Sequence, residues 1–140
     1  MKIHNFSVCD LVRREDNGKF LLVGVYSNEI IFSSLPAKFP FTLWFLAEHE
    51  ALGLDEIALR ARTSVDDAPF FTMEGQVEVA DVSTWSPIAA SLVADFREPC
   101  TLFLEAKING EDWIVLRETR VKVGDVLPPL PPSPLPKMES

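Results

Sequence analysis

The sequence predicts an all-β fold: an antiparallel β-sandwich of about eight or nine strands, immunoglobulin-like or C2-like in plan. Three observations predict it. Apolar side chains recur at every second position, the apolar runs are short and spaced by roughly 8 to 14 residues, and turn residues rather than long helical stretches separate them. Successive side chains of a strand point to opposite faces, so a strand with one buried face is written with a period of two. An open-ended barrel is the rival arrangement.

The elements follow in order. "DNGK" at 16 to 19 is a turn, and "FLLVGVY" after it is rich in the branched and aromatic residues that favour strands. "NEIIFSS" is the next extended run, and two prolines make "LPAKFP" a connection. In "FTLWFLAEHE" Phe41, Leu43, Phe45 and Ala47 oppose Thr42, Trp44, Leu46 and Glu48; both sets begin apolar, so the first half is expected to be covered on both sides. "EIALRARTS" sets Ile57, Leu59 and Ala61 against Ala58, Arg60 and Arg62, the pattern of a strand with one wet face. "FFTMEGQVEVA" repeats it, with Gly75 in the middle suggesting a bulge or bend.

"WSPIAASLVADF" reads two ways. Ser86 and Pro87 resemble a helix cap and first helical position, and Ile88, Leu92 and Phe96 fall at helical spacing. Ile88, Ala90, Leu92, Ala94 and Phe96 are equally an alternating strand face, and the surrounding strands favour that reading. The final hairpin puts Cys100, Leu102, Leu104, Ala106 and Ile108 on one face. It turns at Asn109-Gly110, the pair that best supplies two positive φ angles, and a tight turn would set Trp113 opposite Ala106 in the core.

Composition shifts abruptly after residue 125. Six prolines between 128 and 136 exclude helix and central strand, so 1–125 is expected to be the sandwich domain and 126–140 an extended or flexible proline-rich tail with PxxP spacing.

Order and motif also suggest kin. "VCDLVRREDNGKFLLVGVYSNEI", "SLPAKFPFTLWF" and "ASLVADFREPCTLFLEAKINGEDWIVLRETRVKV" resemble a group of small uncharacterised bacterial proteins. In these a Cys-Asp or Cys-Glu pair precedes a Gly-Lys turn and a Gly-Val-aromatic strand, and a hairpin closes the domain. The resemblance covers residues 1 to about 124 and implies a strand at 88 to 96 and the sandwich; it carries no assigned activity. The last hairpin in that group often begins with Gly, where this chain has Pro99-Cys100.

The charge excludes one class of partner. Thirteen basic against 21 acidic residues give a net charge of −8, a field that opposes a phosphate polymer, so nucleic acid is not an expected partner. "MKIHNFSVCD" lacks the apolar run of a signal peptide, and no stretch has the length of a membrane span, so the expected location is cytoplasmic. Cys9 and Cys100 share no CxxC spacing and are expected as reduced, buried thiols.

No catalytic, cofactor-binding or metal-ligating residue is assigned from the sequence. His4, Cys9 and Asp10, and Glu48, His49 and Glu50, are the nearest to ligand sets, but strand neighbours point apart; Glu48 to Glu50 read as a solvated strand end. There is no GxSxG elbow or phosphate-cradling glycine loop. Asp66-Asp67 and Glu111-Asp112 fall in loops, and Asp66, Asp67 and Asp81 could approach one another only if the fold gathered them at one end. Trp85 is the tryptophan expected to be exposed. The expected role is non-enzymatic, a β-sandwich binding or structural module acting on a protein partner or on itself. The alternative is a small-ligand or calcium-binding domain, with or without hydrolytic activity, using loop carboxylates at one end.

Overall fold

The computed structural model describes residues 1–125; the proline-rich tail lies outside them. Among the described residues nine strands form: β1 (Lys2–Arg14), β2 (Phe20–Tyr26), β3 (Glu29–Phe32), β4 (Ala37–Glu48), β5 (Gly53–Thr63), β6 (Asp66–Val79), β7 (Ser86–Phe96), β8 (Cys100–Ile108) and β9 (Ile114–Val123). They make two sheets, β2-β1-β4-β7 and β3-β9-β8-β5-β6. The fold is thus an all-β sandwich. No helix among the described residues is long and apolar enough to cross a membrane.

The alternating faces close on each other. Phe41, Leu43 and Phe45 of β4, Ala90, Leu92 and Phe96 of β7, Leu59 of β5 and Leu102 and Leu104 of β8 are buried between the sheets. Burial of this apolar area, at about 25 cal/mol per Å², is what holds the layers together. The ambiguous segment is strand: β7 pairs with β4 from Ala37↔Phe96 to Ala47↔Ser86, and its even positions from Ala90 to Phe96 are buried while the odd ones are exposed.

Four details depart from the sequence reading. β3 lies parallel to β9, so one pairing in an otherwise antiparallel fold is parallel, and Glu29 ties it through Lys122 (2.9 Å) and Arg120 (3.0 Å). "LPAKFP" is largely strand: β4 begins at Ala37 and includes Pro40. Proline is tolerated there because β1 pairs with β4 only as far as Thr42, leaving a free edge where a missing N–H breaks no ladder. Gly75 sits in register opposite Ile57, without a bulge.

The fourth is Trp113. Asn109 (φ 50°) and Gly110 (φ 73°) do make the expected turn, with the Glu111 N–H donating to Ile108 O at 3.0 Å. But β9 starts only at Ile114, and Ile114 rather than Trp113 pairs with Ala106, so one extra residue enters between the turn and the ladder. Trp113 therefore lies on the outer surface under Arg60 (4.1 Å), opposite to Leu104 in the core.

The β1–β2 hairpin does not continue flat. Cys9↔Thr42 is the last pair between β1 and β4, and a straight extension would carry Arg14 to the level of Ala37. Instead the hairpin tip reaches Trp44, whose ring lies 5.6 Å from that of Phe20. The hairpin folds back as a flap over the outer face of its own sheet, where Cys9, Thr42 and Trp44 are buried.

Candidate functional site

One open end of the sandwich is closed by a polar relay. Ser86 begins β7, His49 follows β4, Asp55 is near the start of β5 and Asn109 is in the β8–β9 turn. In sequence parity Ser86 and His49 extend the inward-facing sets of β7 and β4, and Asp55 that of β5. Ser86 Oγ lies 2.7 Å from His49 Nε2, His49 Nδ1 lies 2.5 Å from Asp55 Oδ2, and the Asn109 side-chain amide donates to Asp55 Oδ1 at 3.0 Å. Asn109 also clamps β5 through Glu56: its Oδ1 accepts from the Glu56 N–H at 2.7 Å, and its N–H donates to Glu56 O. Hydrogen bonds from Asn109 first, and then from His49, hold the Asp55 carboxyl below its ordinary range against partial desolvation.

An ionised Asp55 can only accept, so Nδ1 of His49 carries the proton, and in the neutral ring Nε2 accepts from the Ser86 hydroxyl. Hydroxyl, imidazole and carboxylate in this order form a chain in which the ring can withdraw a proton from serine while the carboxylate fixes its tautomer. The His49 side chain is only 1% exposed. Expected as part of a solvated strand end, it is instead the buried centre of a tie between the sheets. Glu48, its neighbour, turns away and meets His4 at 3.1 Å.

The flap builds a second feature on the outer face. A cavity of about 380 Å³ is lined by Arg14 and Phe20 from the flap, Trp44 and Leu46 from β4, and Trp85 and Pro87 at the start of β7. Trp85, 40% exposed as the sequence suggested, stacks on the His4 ring at 4.2 Å. Trp44 is only 8% exposed, and its indole N–H is buried without a hydrogen-bond partner among the described residues. Such a group costs roughly 1–3 kcal/mol relative to a satisfied one.

No protein-family model matches the chain, and no curated protein is similar to it. The remaining suspected residues are placed by the fold alone. Asp10 lies across bare Gly24 (φ 67°) and accepts a hydrogen bond from the Tyr26 hydroxyl at 2.5 Å. Burial first, and then that bond, push the Tyr26 hydroxyl up to about 12. Burial, with the Asp10 charge second, also raises the Cys9 thiol, which donates weakly to Thr42 O at 3.6 Å. Both cysteines are free. Asp66 and Asp67 open β6 whereas Asp81 lies past its end, so 14 residues of strand, roughly 45 Å at the usual rise, keep them from sharing an ion. Asp66, expected in a loop, instead opens the strand and accepts from the Ala68 N–H within β6, and Asp81 accepts from Ser83 in the loop after it.

Glu105 was not singled out by the sequence. It lies on the outer face of β8, yet is only 5% exposed, and its Oε1 accepts from Arg62 Nε (2.7 Å) and Arg60 Nε (3.0 Å). Those guanidiniums lie over Phe103 and Trp113 respectively. Burial, the largest single effect, would raise the carboxyl; the two guanidiniums together outweigh it and hold it below the ordinary range. The signal was the Arg-Ala-Arg of β5, but only the pairing Arg60↔Glu105 reveals the partner.

Proposed function

We propose that this chain is a protein-binding module that acts by contact, with the outer side of the β1–β2 flap as its contact surface. The observation that carries this reading is a run of apolar side chains there: Leu11 (43% exposed), Leu21 (45%) and Val23 (39%). Leu11 pairs with Val23, and Leu21 shares their parity, so one surface gathers these three; Val25, beyond Gly24 (φ 67°), pairs with the buried Cys9. An apolar patch of this kind is characteristic of an interaction surface. β2 is also the edge of its sheet, leaving one row of backbone groups unpaired by the described strands.

A photo-crosslinking residue at Val23 or Leu21, in the cells that make the protein, is expected to trap one discrete protein species, which can be a second copy. The same residue at Gln76, on the other sheet, is expected to trap none. Equal trapping at both positions, or at neither, overturns the proposal. We place the chain in the cytoplasm, a reading supported by its two free thiols. Kinship with the group that shares the Cys-Asp and Gly-Val-aromatic pattern is supported by the contacts of Asp10 with Gly24 and Tyr26.

A second reading, acyl transfer, is favoured by the Ser86–His49–Asp55 distances. A fluorophosphonate adduct on Ser86, absent from Ser86→Ala, would establish it. An unchanged intact mass after prolonged exposure would dismiss it.

A further inference from the structure

Among the described residues the two sheets have four edge strands, and three of them carry devices that discourage pairing with another chain. β3 is four residues long. β6 bears Asp66, Asp67, Pro69, Glu74 and Glu78. β2 is kinked at Gly24, where φ is 67°. β7 has no comparable protection. Its 11 residues, Ser86–Phe96, pair with β4 without a bulge, and Asp95 is the one charge among them. Its outward residues Ala89, Ser91 and Val93 are small or apolar, and exposed. The other sheet does not seal this edge: among the described strands β6 pairs with β5 alone, and a cavity of about 500 Å³ opens between Val65 and Phe70 on one side and Val93 on the other.

We infer that β7 pairs antiparallel with β7 of a second copy, joining two four-stranded sheets into one across a twofold axis at Ser91. The sequence selects the register. A twofold axis on a residue pairs positions of equal parity, so inward residues meet inward ones and the core continues across the junction. Centring on Ser91 pairs the whole strand: Ser86 meets Phe96, and Ala89 meets Val93. Asp95 then faces Pro87 rather than another acid, and the proline stands near the end of the ladder, where it is tolerated. One position beyond each strand end, the same register sets Arg97 opposite Trp85 of the other copy. The Arg97 side chain is 80% exposed and reaches Asp95 only at 3.4 Å, while Trp85 is 40% exposed and stacks on His4 through one face. A guanidinium over that indole is a cation–π pair, and the symmetry makes it twice. This match favours a second copy over an unrelated strand. The contact is isologous, so it closes at two copies. It does not depend on the outer side of the flap, which belongs to the other edge of the same sheet.

Sedimentation of the full chain over a range of concentrations is expected to show a monomer and dimer in equilibrium. Ala89→Lys with Val93→Lys sets like charges opposite each other at the junction, and should leave a monomer whose circular dichroism is unchanged. Ala89→Glu with Val93→Glu should do the same, and mixing the two variants should restore the dimer. Oxidation reads the register, in a Cys100→Ser background. Ser91→Cys faces itself across the axis within disulfide reach, and is expected to give a covalent dimer. Val93→Cys lies four positions from its counterpart, roughly 13 Å along the strand, and is expected to give none. A chain that is monomeric at every concentration overturns the proposal, as does a dimer indifferent to the lysine pair, or two charge variants that stay apart when mixed. Cross-linking at Val93→Cys as fast as at Ser91→Cys overturns the register.

Discussion

The two outer surfaces of the sandwich are covered in opposite ways. Over β4 the chain folds its own hairpin back, and Thr42 and Trp44 are buried although they point away from the core. Over β5 and β8 none of the described residues lays a strand; Arg60, Arg62 and Glu105 form a charged row braced on Phe103 and Trp113. An apolar outward face needs a second layer to remove it from water. A charged one can remain at the surface if its charges are paired and its stems lie on aromatic rings.

The largest expected effect tests that difference. Trp44→Ala should destabilise by about 4 kcal/mol, as a core truncation would, while Arg62→Ala should cost about 1 kcal/mol. Urea unfolding followed by circular dichroism measures both. Equal losses would mean that the flap buries Trp44 no more effectively than the charged row covers Phe103.

The end closure is the next most consequential. His49→Ala leaves the Asp55 carboxylate and Ser86 hydroxyl without their ring partner at the seam between the sheets, for a loss of about 3 kcal/mol. If Ser86→Ala costs nearly as much, the serine rather than the ring is the main tie. The flap root comes third. A methyl group at Gly24 would overlap the Asp10 carboxylate at a positive φ, so Gly24→Ala should lose about 2 kcal/mol. Adding Asp10→Ala should recover part of it; no recovery would assign the whole loss to the backbone.

The fold was legible in the sequence because period two survives any choice of partner. The faces of β4, β5, β7 and β8 follow from alternation alone, and even the doubly apolar start of β4 announced a covered outer face. What covers it was not legible, since the return of the flap depends on where β1 leaves β4. Trp113 was misplaced because the extra residue between the Asn109-Gly110 turn and the Ala106↔Ile114 pair is invisible to a periodicity count. The relay escaped for a related reason. His49, Asp55, Ser86 and Asn109 come from four elements, and each alone resembles an ordinary polar residue at a strand end.

Glu105 is the smallest expected effect and separates the two surfaces by pH. Its carboxyl titrates lower in the folded chain than in the unfolded one, where about 4.3 is ordinary. The stabilisation it supplies is therefore complete above that value and is lost as pH falls through the lower folded value. Glu105→Gln keeps the shape and removes the charge, so it should cost about 1 kcal/mol near neutrality, discounted because the two arginine side chains are each 26% exposed. Asp55 and Glu29, also lowered by their partners, titrate alike in both proteins, so the difference between the two stability curves isolates Glu105. That difference should shrink toward zero in acid, whereas the loss from Trp44→Ala should not follow the same titration. A Glu105→Gln deficit that persists undiminished at about pH 2 would mean that the carboxylate's charge contributes nothing, and that this surface, too, is held mainly by packing.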